Sequence, residues 1–174
     1  MKVIEILEGA AFGITDGLIC VLGIIIGSAA ATSDAKLVVL AGVIGGVSNS
    51  FANSVGVYIS QATERGVQKA KVKNGEDVHV HSVNENILNS LASFISAMSL
   101  SLIMVVPFLL LPVQNAMITS LLMGIIVLFL FGAYVGKISD ENPIVHGLQY
   151  GMLGIIGAVL SYIIGSELKG LIGV

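Results

Sequence analysis

The chain reads as long apolar stretches separated by short polar connections. Five such stretches stand out, at residues 9–31, 37–61, 87–111, 116–135 and 144–164, each of 20 to 25 residues. A helix rises about 1.5 Å per residue, so about 20 residues cross a hydrocarbon core of about 30 Å. The apolar runs are continuous rather than alternating, which selects helices over a barrel, because backbone groups in lipid must bond within their own segment. The pattern predicts an all-α membrane protein, one domain of five transmembrane helices with a charged connection over 62–86.

The connections carry helix punctuation. Asp140-Glu141-Asn142-Pro143 reads as an N-cap followed by proline at the first helical position, and Ser82-Val83-Asn84-Glu85 has capping-box spacing. Pro107 is expected to bend or end the third span, with Pro112 in the turn beyond.

Composition sharpens this picture. The chain is 55% hydrophobic and 11% charged, whereas soluble domains carry about 25% charge. Of its formally charged residues, only Asp16 falls inside an apolar stretch. A soluble enzyme with a polar cleft, a disordered chain and a nucleic-acid binder are all disfavoured, the net charge being only −3. No nucleophile elbow, HExxH, P-loop or dinucleotide fingerprint occurs, so an enzyme is not expected. A single cysteine excludes a disulfide within one protomer.

Charge also orients the spans. Lys2, Arg65, Lys69, Lys71, Lys73 and Lys137 fall on one side, and Lys36 and Lys169 on the other. The positive-inside rule then places the N-terminus in the cytosol and the C-terminus outside. The first stretch, interrupted by Asp16 and too long for a signal-peptide core, reads as a retained helix despite Ala29-Ala30-Ala31 at its end. A multi-pass place in a prokaryotic plasma membrane is expected.

Three features bear on chemistry. An ionised carboxylate within hydrocarbon costs at least about 2.5–3.5 kcal/mol, so Asp16 marks an ion or proton path or else snorkels to the headgroups. Desolvation favours a protonated acid and a bound cation favours a carboxylate, so one such group can exchange a proton for a metal. In the second stretch Gly42, Gly46, Asn49, Asn53, Gly56 and Ser60 share one helical face, which serves helix packing or lines a polar path. The connection contributes basic residues suited to anionic headgroups, then Glu76, Asp77, His79, His81 and Glu85. These are either metal ligands or a solvated acidic turn. Cys20, one turn from Asp16, and His146 read as packing residues.

Gly13-Ile14-Thr15-Asp16-Gly17-Leu18 resembles the first-helix motif of the vacuolar iron transporter family. Ala41-Gly42 and Gly56-Val57-Tyr58-Ile59-Ser60 to Glu64 are similar to that family's second helix. The resemblance implies a homodimer of five-helix protomers in a lipid bilayer that moves Fe²⁺, and in some members Mn²⁺, commonly against protons. It implies a path at the dimer interface, lined by Asp16, with the metal as cargo and no resident cofactor. Asn49, Asn53 and Cys20 would lie beside that path. Two departures follow from register. The family's second-helix methionine falls on Asn53 and a glutamate on Gly45, and its long Glu-rich cytosolic segment shrinks to 62–86. Glu64, Glu76, Asp77, His79, His81 and Glu85 are the stand-ins for that segment. An amide oxygen in place of a thioether hardens the site, which shifts preference toward Mn²⁺ or weakens it. The rival expectation is a relative that has lost transport and serves as a membrane scaffold or regulatory partner.

Overall fold

The computed structural model describes residues 2–172, with side chains described from 7 to 171; Lys2, one of the charges used for orientation, lies outside those side chains. Six helices follow one another: α1 (Lys2–Ala31), α2 (Ala35–Lys73), α3 (Val83–Val105), α4 (Pro107–Leu110), α5 (Val113–Ile138) and α6 (Pro143–Ile172). Five of them, α4 being counted with α3, are long and apolar enough to span a membrane. Their lipid-facing sides are studded with exposed Leu, Ile and Phe, such as Ile44, Phe51, Leu130 and Ile164.

The caps follow the sequence closely. Ser82 Oγ accepts from the Glu85 amide at 3.1 Å while Glu85 Oε2 accepts from the Ser82 amide at 2.9 Å, a complete capping box. Asn142 Oδ1 accepts from the Ile144 amide at 3.0 Å, with Pro143 opening α6. Pro107 ends α3 and starts the one-turn α4, and Pro112 precedes α5.

The 62–86 connection departs from the expected loop. α2 runs unbroken to Lys73, 39 residues in all, or about 58 Å, far longer than a hydrocarbon core. The segment beyond Gln61 is rich in Ala, Gln, Glu, Lys and Arg. Outside lipid, helix propensity rather than hydropathy decides, and these residues extend the helix. It stops at Gly75, whose φ of 88° supplies the left-handed turn. The Glu76 amide bonds to Lys71 O and the Gly75 amide to Val72 O, a Schellman closure. Only residues 74–82 then link α2 to α3.

Helix α1 is the most buried of the five spans and packs against α2, α3, α5 and α6. Leu18, Val21, Leu22 and Ile25 are fully enclosed and meet Met104, Phe108 and Leu128 in the core. α2 pairs with α3, and α5 pairs with α6. Gly9, Gly13 and Gly17 form a small-residue ridge against α3. A Cβ at Gly9 would sit 2.1 Å from Asn89 O, and one at Gly13 would sit 2.3 Å from Ser93 O.

Gly13→Ala therefore forces two backbones apart and is expected to cost about 1–3 kcal/mol. Gly66, in the extended part of α2, has nothing within 4 Å of its would-be Cβ. Gly66→Ala is expected to gain about 0.5–1 kcal/mol from helix propensity alone. Thermal unfolding in detergent should move in opposite directions for the two variants.

Candidate metal and proton path

Asp16 lies on α1 about 14 Å along the helix from Leu7, where the apolar span begins. It is half-buried, and Asn49 Nδ2 of α2 donates to its Oδ2 at 3.1 Å. The one salt bridge among the described residues joins Glu141 and His146 elsewhere, so Asp16 has an amide partner but no cationic one. Its side chain is thus turned toward a neighbouring helix.

Asn53, one turn from Asn49, is 7% exposed and its Nδ2 has no partner among the described residues. The α2 stripe divides in two. Gly42 and Gly46 are buried against Val105 and Ser101 of α3, which is packing. Gly56 and Ser60 are exposed and line a cavity of about 550 Å³ between α1, α2 and α6. Glu8, Phe12, Thr15, Gln61 and Tyr150 also line it. Cys20 is half-buried and sits instead on a groove of about 630 Å³ between α1 and α6, with Gly23, Gly27, Gly157 and Ser161. The face of α1 around Asp16 is thus bordered by open space toward both ends.

The connection does not gather its ligand types. Among the described residues no three His, Cys, Asp or Glu side chains converge to hold a metal. Glu64 accepts from Gln68 Nε2 at 3.1 Å, and Gln68 Oε1 accepts from the His81 amide at 2.9 Å, so this pairing clamps the link to α2. Glu76 and Asp77 are exposed. His79 and His81 stack edge-on with ring centroids 5.6 Å apart, and Glu85 is engaged by its capping box. His146, expected as packing, is half-buried and pairs with Glu141 across the start of α6, where a charged neighbour is available to the imidazole.

A polar stripe on α3 escaped the sequence reading. Asn86, Asn89, Ser93 and Ser101 are all buried against α1 and α2, with Leu91, Ile95 and Leu102 turned outward. Asn89 Oδ1 accepts from the Gly9 amide at 3.2 Å, and Ser54 and Ser90 bond to each other at 2.9 Å. Six buried polar atoms lack partners among the described residues, on Asn53, Gln61, Arg65, Asn86, Ser93 and Ser101, all of them in α2 or α3. The signal was present: Asn and Ser recur every three or four positions through an otherwise apolar run.

This arrangement, five apolar spans around a half-buried acid held by an amide, defines a multi-pass membrane protein with a polar seam. The sequence profile of the VIT family matches residues 7–86 and 77–166. The chain belongs to that family of membrane metal-ion transporters. It is also similar to an uncharacterized protein of Methanocaldococcus jannaschii, 32% identical over 163 residues, covering 87% of this chain and 84% of the relative.

The Asp16–Asn49 contact spans two helices and should be measurable. A double-mutant cycle with Asp16→Leu and Asn49→Leu, each of which removes the hydrogen bond, is expected to show a coupling of about 1 kcal/mol in unfolding free energy. A coupling indistinguishable from zero would mean the two side chains act independently.

Proposed function

We propose that the protein is a homodimeric carrier of Fe²⁺ or Mn²⁺ that exports metal from the cytosol in exchange for protons, with the N-terminus cytosolic. Asp16 is the central ligand and proton acceptor. The observation that carries this reading is the carboxylate itself, half-buried in the most enclosed helix, with Asn49 as its one hydrogen-bond partner and no cation beside it among the described residues. Such a group must be protonated, hydrated or metal-bound, and a carrier needs a group that alternates among these states.

One protomer does not assemble a complete coordination sphere, since no three ligand side chains converge among the described residues. A second copy would complete it. A two-fold axis beside the open face of α1 brings two Asp16 carboxylates together, with the Asn49 and Asn53 oxygens as secondary donors. Metal captured by Glu64, Glu76, Asp77, His79, His81 and Glu85 would likewise draw on more than one copy. The oxygen-only set around Asp16 favours Mn²⁺ and Fe²⁺ over softer ions. The basic extension of α2, with Lys69, Lys71 and Lys73, then lies at the cytosolic surface beside anionic headgroups.

Uptake into proteoliposomes, with a pH-sensitive dye inside, tests the reading. Mn²⁺ and Fe²⁺ are expected to move with opposing proton flux, and Asp16→Asn is expected to abolish both while leaving the dimer intact by size exclusion. Undiminished flux in that variant would remove Asp16 from the path. Wild-type protein that moves no divalent ion would leave a non-transporting membrane scaffold as the surviving reading.

A further inference from the structure

The cavity between α1, α2 and α6 holds a second acid that the path described above does not use. Glu8 lies on its wall, two helical turns before Asp16, with Thr15 and Phe12 between them. Gln61 lines the same cavity from α2. It is 3% exposed, its Nε2 lies 3.5 Å from Glu8 Oε2 at the long limit of a hydrogen bond, and its Oε1 has no partner among the described residues. A buried amide oxygen left without a donor costs free energy, which is offset when the oxygen coordinates a cation or accepts a hydrogen bond from the cation's water shell.

We propose that Glu8 and Gln61 form a receiving site for a hydrated divalent cation at the cytosolic mouth of the protomer. Ser60 and Thr15 supply hydroxyl oxygens on the same wall. The donors are oxygen only: a carboxylate, an amide carbonyl and two hydroxyls, the set that suits Mn²⁺ or Mg²⁺ and not a soft ion. Size agrees. Each water takes about 30 Å³, so six around an ion need about 180 Å³, well within the cavity of about 550 Å³. The ion enters without losing its full shell, held by one charge, and passes Phe12 toward Asp16. The direction of passage rests on the transport reading above, whereas the site itself stands on the cavity and its two side chains.

Mn²⁺ binding to the full-length detergent-solubilised protein, followed by electron paramagnetic resonance, tests the site. Wild type is expected to show a weaker class of Mn²⁺ at one ion per protomer, besides the ion that two protomers share at their Asp16 pair. Glu8→Gln should remove the weaker class, lowering its affinity about tenfold or more, and Asp16→Asn should leave that class in place. Gln61→Leu, which keeps the Glu8 charge, should weaken the same class. An Mn²⁺ isotherm for Glu8→Gln superimposable on wild type overturns the site, even if Asp16→Asn abolishes transport. Loss of the weaker class in Glu8→Gln, together with normal transport by Asp16→Asn, upholds the site and overturns the transport reading instead. If Glu8→Gln elutes as aggregate, the isotherm of Gln61→Leu decides: an unweakened weaker class overturns the site, a weakened one upholds it.

Discussion

The structure depends on how closely α1 can approach its neighbours. Between helices in lipid there is no hydrophobic driving force, because the tails are as apolar as leucine, so association rests on contact area and on hydrogen bonds between helices. Gly9, Gly13 and Gly17 bring the α1 backbone against Asn89, Ser93 and Ala97 of α3. At that distance Asn89 reaches the Gly9 amide and Ser96 reaches Ala10 O. The other face of α1 meets α6 as closely, where a Cβ at Gly165 would collide with Gly27 O. With neighbours on these sides, the strip carrying Asp16 is what remains open.

Polarity is distributed inside-out and unevenly. The seams between α1, α2 and α3 are lined by Asn, Gln and Ser, while the interior between α1, α5 and α6 is lined by Ile26, Met117, Leu121 and Ala158. Each unpartnered buried polar atom costs about 1–3 kcal/mol, and all six among the described residues belong to α2 and α3. A bundle selected for packing alone would have replaced them with apolar groups. They concentrate on the side of the bundle that holds Asp16 and Asn49. The α5–α6 side shows the opposite pattern: Gly132, Gly136 and Gly147 let the two helices interlock at short range, and Ser120 is satisfied by Met104 O at 2.8 Å.

Legibility varied with the kind of residue. Asp16 was visible because charge in an apolar run is rare and costly, and the structure gives it the interhelical partner such a group needs. The capping box at Ser82 and the proline at the start of α6 were visible because caps depend on neighbours three residues apart. The α2 stripe was read as one surface, yet Gly46 packs against Ser101 while Gly56 faces open space. Periodicity tells which residues share a face and nothing about where the partner helix ends. Gln61 and Glu8 were passed over for the same reason, since each is unremarkable until α1 and α2 lie side by side.

Hydropathy and local spacing by themselves determined the number of spans, their helical character, their caps and the one acid within them, because each depends on transfer from water or on bonds inside a single turn. Tertiary structure alone decided that α1 is central, that α2 continues past the membrane length to Lys73, and that Asp16 meets Asn49. It also decided that no three of the acids and histidines of the α2–α3 link converge on one point among the described residues. These outcomes depend on which surfaces come within a few ångströms of each other, a quantity set by the packing of residues far apart in the chain.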